Sequence, residues 1–302
     1  MRAQVVLTPA ESKMLLSKAI ARMDEVKSAL SNGTVVIHPS STTYFLVKEI
    51  TGSEPQTEHW VLGAVLGQGL CRAAGRKGVH YKMGSHLDQV KNMKQLVSDF
   101  PFKWVIKNGE LKSGIPLGEI MAGMTPNDVY IKGCNALDIK GNTGVLFGHS
   151  GGGTIGYVMT CQRKKGFKII CPVGLEKLIP VSIMQAAKAA KRTEFEYGMG
   201  MPCGLMPVKG GITITEIEAI KILSGGAKAV PNAAGGLAGA EGGIVLAIEG
   251  EKEQVQKAIE YVEQSKGVKL PEACAVECGH CTVPDCRFPV GKKHWAGDWN
   301  RG

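Results

Sequence analysis

The sequence has few aromatic residues and no long hydrophobic run. Phe, Trp and Tyr make up only 6% of its 302 residues. Proteins that bind single-stranded nucleic acids use such side chains as stacking platforms, so the composition argues against nucleic acid as a partner. No stretch of about 18 apolar residues could span a bilayer, and no apolar N-terminal segment resembles a signal peptide. We therefore expect a cytoplasmic protein with no membrane partner.

Disulfide bonds are not expected either. In the cytoplasm, the nine cysteines are more typical of buried or metal-bound thiols. Four of them are spaced C-x3-C-x2-C-x4-C near the C-terminus: Cys274, Cys278, Cys281 and Cys286. Four thiolates in a short segment can hold a 4Fe-4S iron-sulfur cluster. They could instead hold zinc, with His280 or His294 as a possible substitute ligand. Zinc sites often pair two C-x2-C units, and here only Cys278 and Cys281 form one, which favours the iron-sulfur cluster. The spacing therefore predicts a metal-binding, Cys-rich tail over residues 271–302.

Glycine and positive charge, in contrast, are plentiful. The chain has 40 glycines and a formal net charge of +9, which attracts anions or simply forms a solvated surface. Residues 148–153, which we call the glycine loop, lie between an apolar strand at 145–147 and a predicted helix from Thr154. Glycines allow close approach of the backbone, and a helix N-terminus favours negative charge. The pattern predicts an anion cradle formed by Gly151, Gly152, Gly153 and Thr154.

A second strand, loop and helix unit precedes the glycine loop. A predicted strand at 34–38 is followed by residues 39–43, which we call the hydroxyl loop, and by a helix from Tyr44. Hydroxyl groups can cap this helix or can bind an anion beside its free N–H groups. The candidate ligand-binding residues here are Ser40, Ser41, Thr42 and Thr43.

The order of predicted elements indicates an α/β fold. Strands alternate with helices over residues 1–200, which predicts an anion-binding domain with a mostly parallel, Rossmann-like sheet. Ligands of such sheets bind at the carboxyl ends of the strands, where both loops should meet. Residues 208–270 have the order βαββαβ, which predicts a second, ferredoxin-like α+β domain. The Cys-rich tail follows it.

Four segments carry a resemblance to a known superfamily. In chain order they are IHPSSTT (37–43), KGCNALD (132–138), GGGT (151–154) and FKIICPVGLEKLI (167–179). They resemble segments of ribose-5-phosphate isomerase A, sugar-phosphate-sensing regulators, coenzyme A transferases and lactate-utilisation domains. The resemblance implies that the first segment binds a phosphate or related anion and that the later segments complete the pocket.

The chain departs from the isomerase pattern at its acidic residues. Asn135 and Ala136 stand where the isomerases have acidic side chains, and a carboxylate base is needed to move a proton next to a carbonyl group. Asp138 is the nearest remaining carboxylate. Its candidate charged neighbours are Lys132, Lys140 and His149. Of these, we take Lys132 and His149, together with Asp138, as the candidate catalytic residues.

Two functions are compatible with these features. The first is an isomerase- or transferase-like enzyme that acts on a small anionic metabolite carrying a phosphate, a carboxylate or coenzyme A. The second is a non-catalytic protein, linked to redox or metal chemistry, that senses a ligand or transfers electrons. Neither excludes a homo-oligomer.

Overall fold

The computed structural model describes residues 1–55, 61–67, 69–75, 101–102, 104–272 and 274–275. The helices in these residues are α1 (Pro9–Ile20), α2 (Asp24–Asn32), α3 (Tyr44–Thr51), α4 (Leu117–Gly123), α5 (Gly153–Lys165), α6 (Ile183–Ala189), α7 (Glu216–Ser224) and α8 (Lys252–Glu263). The strands are β1 (Arg2–Leu7), β2 (Thr34–Ile37), β3 (Val61–Leu66), β4 (Gly69–Gly75), β5 (Pro101–Phe102), β6 (Val105–Lys107), β7 (Glu110–Lys112), β8 (Ile115–Pro116), β9 (Val129–Ile131), β10 (Ala136–Leu137), β11 (Thr143–Phe147), β12 (Lys168–Pro172), β13 (Gly204–Pro207), β14 (Gly211–Ile214), β15 (Lys228–Gly235), β16 (Gly243–Glu249) and β17 (Cys274–Ala275). None of the described helices is long and apolar enough to cross a membrane.

The largest sheet has six strands in the order β14-β12-β9-β2-β6-β7. The first four are parallel to one another, whereas β6 and β7 are antiparallel. The predicted α/β class is therefore confirmed, with mixed rather than mostly parallel sheets. Because the four parallel strands point the same way, their carboxyl ends form one edge, and the loops that follow them lie side by side.

Both faces of this sheet are buried, as the apolar strand sequences predict. On β2, Val35 and Ile37 contact one hydrophobic cluster, which includes the inner faces of α1, α3 and α7. Val36 points to the opposite face and contacts a second cluster, which includes α4 and α5. Alternate side chains of a strand point to opposite faces. A short apolar strand such as β2 therefore contributes to both hydrophobic clusters.

A second sheet has the antiparallel order β1-β16-β15. Its β1 comes from the N-terminus, and Leu7 pairs with Ile244 of β16. In the βαββαβ order predicted for residues 208–270, the first strand is the apolar segment at 212–215. That strand is β14, and it pairs instead with β12 of the large sheet, with Ile212 opposite Ile170. This apolar strand covers an edge of β12 that would otherwise be open. The ferredoxin-like arrangement is unconfirmed.

The glycine loop and the hydroxyl loop leave different sheets. The hydroxyl loop follows β2 in the large sheet, whereas the glycine loop follows β11 in a third sheet of order β10-β11-β13. The prediction that both loops leave one parallel sheet is therefore wrong. The physical reason is the short connection between β10 and β11, which makes the two strands an antiparallel hairpin.

Candidate functional site

Three loops contact one another at the carboxyl edge of the large sheet. Lys177, in the segment after β12, donates a 3.0 Å hydrogen bond from Nζ to Oγ1 of Thr42 in the hydroxyl loop. Gly133, after β9, lies against the same loop: a methyl group on it would lie 2.9 Å from Ser40 Oγ and 3.0 Å from Thr42 Cβ. The loops after β2, β9 and β12 therefore meet in one place. We call residues 39–43, 132–134 and 174–177 the rim site.

The four predicted hydroxyl residues divide by role. Thr43 is completely buried, and its Oγ1 donates a 2.6 Å hydrogen bond to the carbonyl oxygen of His38. Ser40 Oγ lies 3.0 Å from Thr43 Oγ1, so Ser40 and Thr43 hold the loop in shape. Thr42 extends to Lys177, and Ser41 is half-buried. Of the four, Thr42 has a direct contact with a charged residue of the rim site.

Lys132 directly follows β9. Its backbone N–H donates to Ile170 O at 3.0 Å, and its side chain is half-buried. In the part of the chain that the structure describes, its ammonium group has no hydrogen-bond or ion-pair partner. Burial lowers its pKa to about 8, although the nearby thiols of Cys134 and Cys171 act in the opposite direction. Lys132 therefore presents an unpaired amine within the rim site.

Lys177 belongs to a small charge cluster. Glu176 Oε1 lies 3.2 Å from Lys13 Nζ and 4.0 Å from Lys177 Nζ. Burial lowers the pKa of Lys177; Glu176 partly opposes this shift, whereas Lys13 adds to it. The second carboxylate oxygen of Glu176, Oε2, is buried without a hydrogen-bond partner in the described residues. Glu176 therefore pairs mainly with Lys13 and leaves Lys177 only partly neutralised.

Glu216 fixes the backbone that carries Lys177. It is completely buried, and its Oε2 accepts a 2.9 Å hydrogen bond from the N–H of Leu175. Burial raises its pKa to about 7, a hydrogen bond from Ser12 opposes the shift, and the charge of Glu176 adds to it. At a pKa of about 7, a large fraction of this carboxyl group is protonated at neutral pH, which reduces the cost of burying it.

Two buried thiols lie near Lys132 and Lys177. Cys134 and Cys171 are both buried and are hydrogen-bonded to each other. The pKa of Cys134 is lowered, first by this hydrogen bond and further by Lys132 and Lys177, against the effect of burial. The same hydrogen bond and burial raise the pKa of Cys171 well above its usual value. Cys134 is therefore the more readily deprotonated of the two thiols.

A neutral polar pair lies next to Lys132. His38 Nδ1 is 2.8 Å from the hydroxyl oxygen of Tyr130, and both side chains are buried. Burial lowers the pKa of His38 well below 6.5, and the charge of Lys132 lowers it further. His38 is therefore neutral and cannot act as a second cation here.

Asp138 has the hydrogen bonds of a structural anchor. Its carboxylate accepts from the N–H groups of Lys140 at 2.9 Å and Asn142 at 3.0 Å, and from the side chain of Asn142. It also accepts from the N–H of Ile183, the first residue of α6, at 3.0 Å. Burial raises its pKa, but these hydrogen bonds outweigh burial and lower it overall. Both carboxylate oxygens therefore already accept hydrogen bonds within the protein. The predicted catalytic role of Asp138 stays a prediction.

Side-chain packing explains why several positions of the glycine loop are glycine. A methyl group on Gly148 would lie 2.4 Å from Met201 Cε, and one on Gly152 would lie 2.2 Å from Met206 Cε. Gly151, Gly152 and Gly153 all have positive φ angles. Gly148 and Gly152 thus leave room for methionine side chains, and the positive φ angles of Gly151, Gly152 and Gly153 explain why glycine is favoured in the turn. A ligand-binding role for Gly151, Gly152, Gly153 and Thr154 stays a prediction, as does a catalytic role for the half-buried His149.

The predicted metal site lies almost entirely outside the described residues. Cys274 is in β17, where it pairs with Gly75 of β4, and Cys278, Cys281 and Cys286 are not described. Within the described ranges, no group of three or more His, Cys, Asp or Glu could hold a metal ion. The iron-sulfur cluster and the zinc site therefore both stay predictions from the sequence.

Comparison with models of known protein families, with curated proteins and with solved structures finds no match to this chain. The resemblance to the isomerase and coenzyme A transferase superfamily stays a prediction. Function has to be inferred from the chemistry of the rim site.

The sequence analysis missed Lys177, Glu176, Glu216 and Cys134 as site residues. Their positions could have indicated them, because each follows a parallel strand of the large sheet, as the hydroxyl loop does. Cys134, for example, comes three residues after the end of β9. Their mutual contacts, however, depend on which strands are neighbours.

Proposed function

We propose that the protein binds the phosphate or carboxylate group of a small metabolite at the rim site, between Lys132 and Lys177. The observation that carries the proposal is the ammonium group of Lys132, which has no hydrogen-bond or ion-pair partner among the described residues and lies in the same site as the partly neutralised Lys177. A half-buried charge without a partner is less favourable than a fully solvated one. An anionic ligand would supply the missing countercharge.

Electrostatics favours the two lysines over the hydroxyl groups as the main source of affinity. At a separation of 4 Å and an effective dielectric constant of 20, two unit charges attract by about 4 kcal/mol before desolvation is counted. A neutral hydrogen bond contributes about 1 kcal/mol net. Thr42 would then orient the anion, because its hydroxyl group already contacts Lys177.

The neighbouring groups favour an enzyme over a purely sensing protein. Glu176 Oε2 is buried without a hydrogen-bond partner among the described residues, and Cys134 is a thiol with a lowered pKa. Perturbed titratable groups that cluster in one recess are typical of catalytic sites. We infer an isomerase- or transferase-like reaction on an anionic metabolite.

Titration calorimetry with inorganic phosphate, pyrophosphate and citrate tests the binding site. Lys132→Met and Lys177→Met should each weaken the tightest of these interactions by about tenfold or more, as expected for the loss of one charge contact worth about 1.4 kcal/mol. Lys140→Met is the matched control, because Lys140 is an exposed lysine on the same segment. If both rim variants bind like the control, or if none of the anions binds the wild type, the rim site is not an anion site.

We also propose that Cys274, Cys278, Cys281 and Cys286 hold a 4Fe-4S cluster or a zinc ion. The supporting feature is the spacing of four thiols within a short segment. Anaerobic purification with metal analysis distinguishes the two metals: brown protein that dithionite bleaches contains the cluster, and colourless protein with stoichiometric zinc contains zinc. A Cys278→Ser, Cys281→Ser variant should lose the metal and still bind phosphate. Metal-free wild-type protein would contradict this proposal.

A further inference from the structure

Lys132 differs from the other enclosed lysines of this region in the state of its amine. Lys13 forms a 3.2 Å ion pair with Glu176, and Lys177 donates a hydrogen bond to Thr42. In the described part of the chain, Lys132 has neither kind of partner. An amine that makes no hydrogen bond and no ion pair is free to react once it has lost its proton.

The surroundings of Lys132 favour the neutral amine. Among the described residues, the ionisable groups that shift its pKa are the thiols of Cys134 and Cys171, and none of them is a carboxylate. A carboxylate in contact would keep the amine protonated, whereas burial favours the uncharged form with its lone pair available. The result is a pKa of about 8, so a substantial minority of the amine is neutral at physiological pH.

We infer that the Lys132 amine forms an imine with the carbonyl group of the bound metabolite, so that the substrates of the rim site are small aldehydes or ketones that also carry a phosphate or a carboxylate. This inference rests on the proposed function, because the same site must hold the anionic group. It adds the second functional group that the substrate needs.

The geometry allows one small molecule to use both lysines. Lys132 and Lys177 both lower the pKa of the Cys134 thiol, so both amines lie near the same side chain. Gly133, the residue after Lys132, packs closely against Ser40 and Thr42, and Thr42 contacts Lys177. An anion held by Lys177 and Thr42 would therefore lie in the same site as the Lys132 amine.

The covalent step balances without any other reactant. The lone pair of Lys132 Nζ forms a bond to the carbonyl carbon, and the carbon–oxygen double bond breaks. The carbonyl oxygen leaves as water with the two hydrogens that the neutral amine loses, and a carbon–nitrogen double bond remains. Nothing is oxidised or reduced. A protonated imine withdraws electrons from the adjacent carbon, which suits the isomerase-like reaction class proposed above.

Reductive trapping tests the inference on the unmodified full-length protein. The protein is incubated with cyanoborohydride and one of three probes: glyceraldehyde 3-phosphate, pyruvate or uncharged glyceraldehyde. Peptide mass spectrometry then measures the adduct on every lysine. We expect at least one anionic probe to label Lys132 about tenfold more than the exposed Lys140, and more than uncharged glyceraldehyde does, since enclosure and anion binding both favour this amine. Lys132→Arg, which keeps the charge, should lose that adduct and retain measurable phosphate binding.

The outcomes separate this inference from the proposed function. If phosphate binds the wild type but no probe labels Lys132 above Lys140, imine formation is excluded and the anion site remains. If the main adduct is on Lys177, the assignment of the amine is wrong. If phosphate does not bind and glyceraldehyde labels Lys132 as well as the anionic probes do, the anion site is excluded and only the reactive amine remains.

Discussion

The hydroxyl loop and the glycine loop both have the composition of an anion site, but their surroundings differ. The hydroxyl loop follows a strand of the large sheet and contacts Lys177 through Thr42. The glycine loop follows a strand of a small antiparallel sheet, and the side chains of Met201 and Met206 lie where its glycines lack theirs.

This difference shows that backbone shape alone does not distinguish an anion cradle from a tight turn. Glycines that provide close approach to a phosphate also provide close approach to a methionine side chain. Countercharge is the more informative feature, and in this protein the enclosed lysines lie beside the hydroxyl loop. Three substitutions test the contrast, from the largest expected effect to the smallest.

The largest effect is expected in the glycine loop. Gly152→Ala should lower the free energy of unfolding by about 2–3 kcal/mol, mainly because it places alanine at a positive φ, with a smaller cost for moving the flexible end of the Met206 side chain. The φ of Gly152 is +82°, and the new methyl group would lie 2.2 Å from Met206 Cε. Urea denaturation gives the change. Phosphate affinity of the folded variant should match that of the wild type, and a specific loss of binding would place the ligand at the glycine loop instead.

The second substitution is expected to increase stability. Lys132→Met should raise the free energy of unfolding at pH 7 by about 1–3 kcal/mol, because it removes the cost of burying an unpaired ammonium, discounted for residual solvent access. The ordinary pKa of 10.5 is lowered to about 8 in the fold. Between these values the unfolded chain binds more protons than the folded one, so wild-type stability gains from this group as pH rises.

The advantage of Lys132→Met should therefore be complete below about pH 8 and disappear near pH 10.5. Urea denaturation of both proteins at pH 7 and pH 10 measures this. A variant that is less stable than the wild type at pH 7 would show that Lys132 has a stabilising partner, and would remove the reason for placing an anion there.

The smallest effect is expected at Gly133. Gly133→Ala should weaken phosphate binding by about 1 kcal/mol, or several-fold, because the methyl group displaces Ser40 and Thr42 by a few tenths of an ångström and a positioned anion contact is sensitive to such shifts. Gly123→Ala is the control, since a methyl group there meets nothing within 4 Å. Calorimetry that shows equal affinity for both variants would mean that the hydroxyl loop does not position the ligand.

Local patterns in the sequence predicted individual elements well. The sequence Thr8-Pro-Ala-Glu11 is typical of a capping box, and this capping box is present at the start of α1. The predicted helix from Thr154 is α5, which begins one residue earlier. Such features depend on residues within one or two turns of each other. The prediction that the hydroxyl loop follows a buried strand is confirmed as well, and it too depends only on neighbouring residues.

The partnership of strands could not be predicted in this way. Whether β14 joins β12 or β16, and whether β11 lies beside β2 or β13, depends on contacts between distant parts of the chain. The state of Lys132 depends on those contacts as well, because the same residue type in a solvated loop would have an ordinary pKa. Asp138 illustrates the converse: a carboxylate that looked available is engaged by Ile183, which lies 45 residues away.

A crystal soaked in tungstate, a heavy analogue of phosphate, would test the central claim most directly. Anomalous scattering locates the ion without reference to any variant. We predict that the ion contacts the amines of Lys132 and Lys177 and the hydroxyl group of Thr42. An ion at the N–H groups of residues 151–154, with none at the rim site, would contradict this account and support the glycine loop as the anion site.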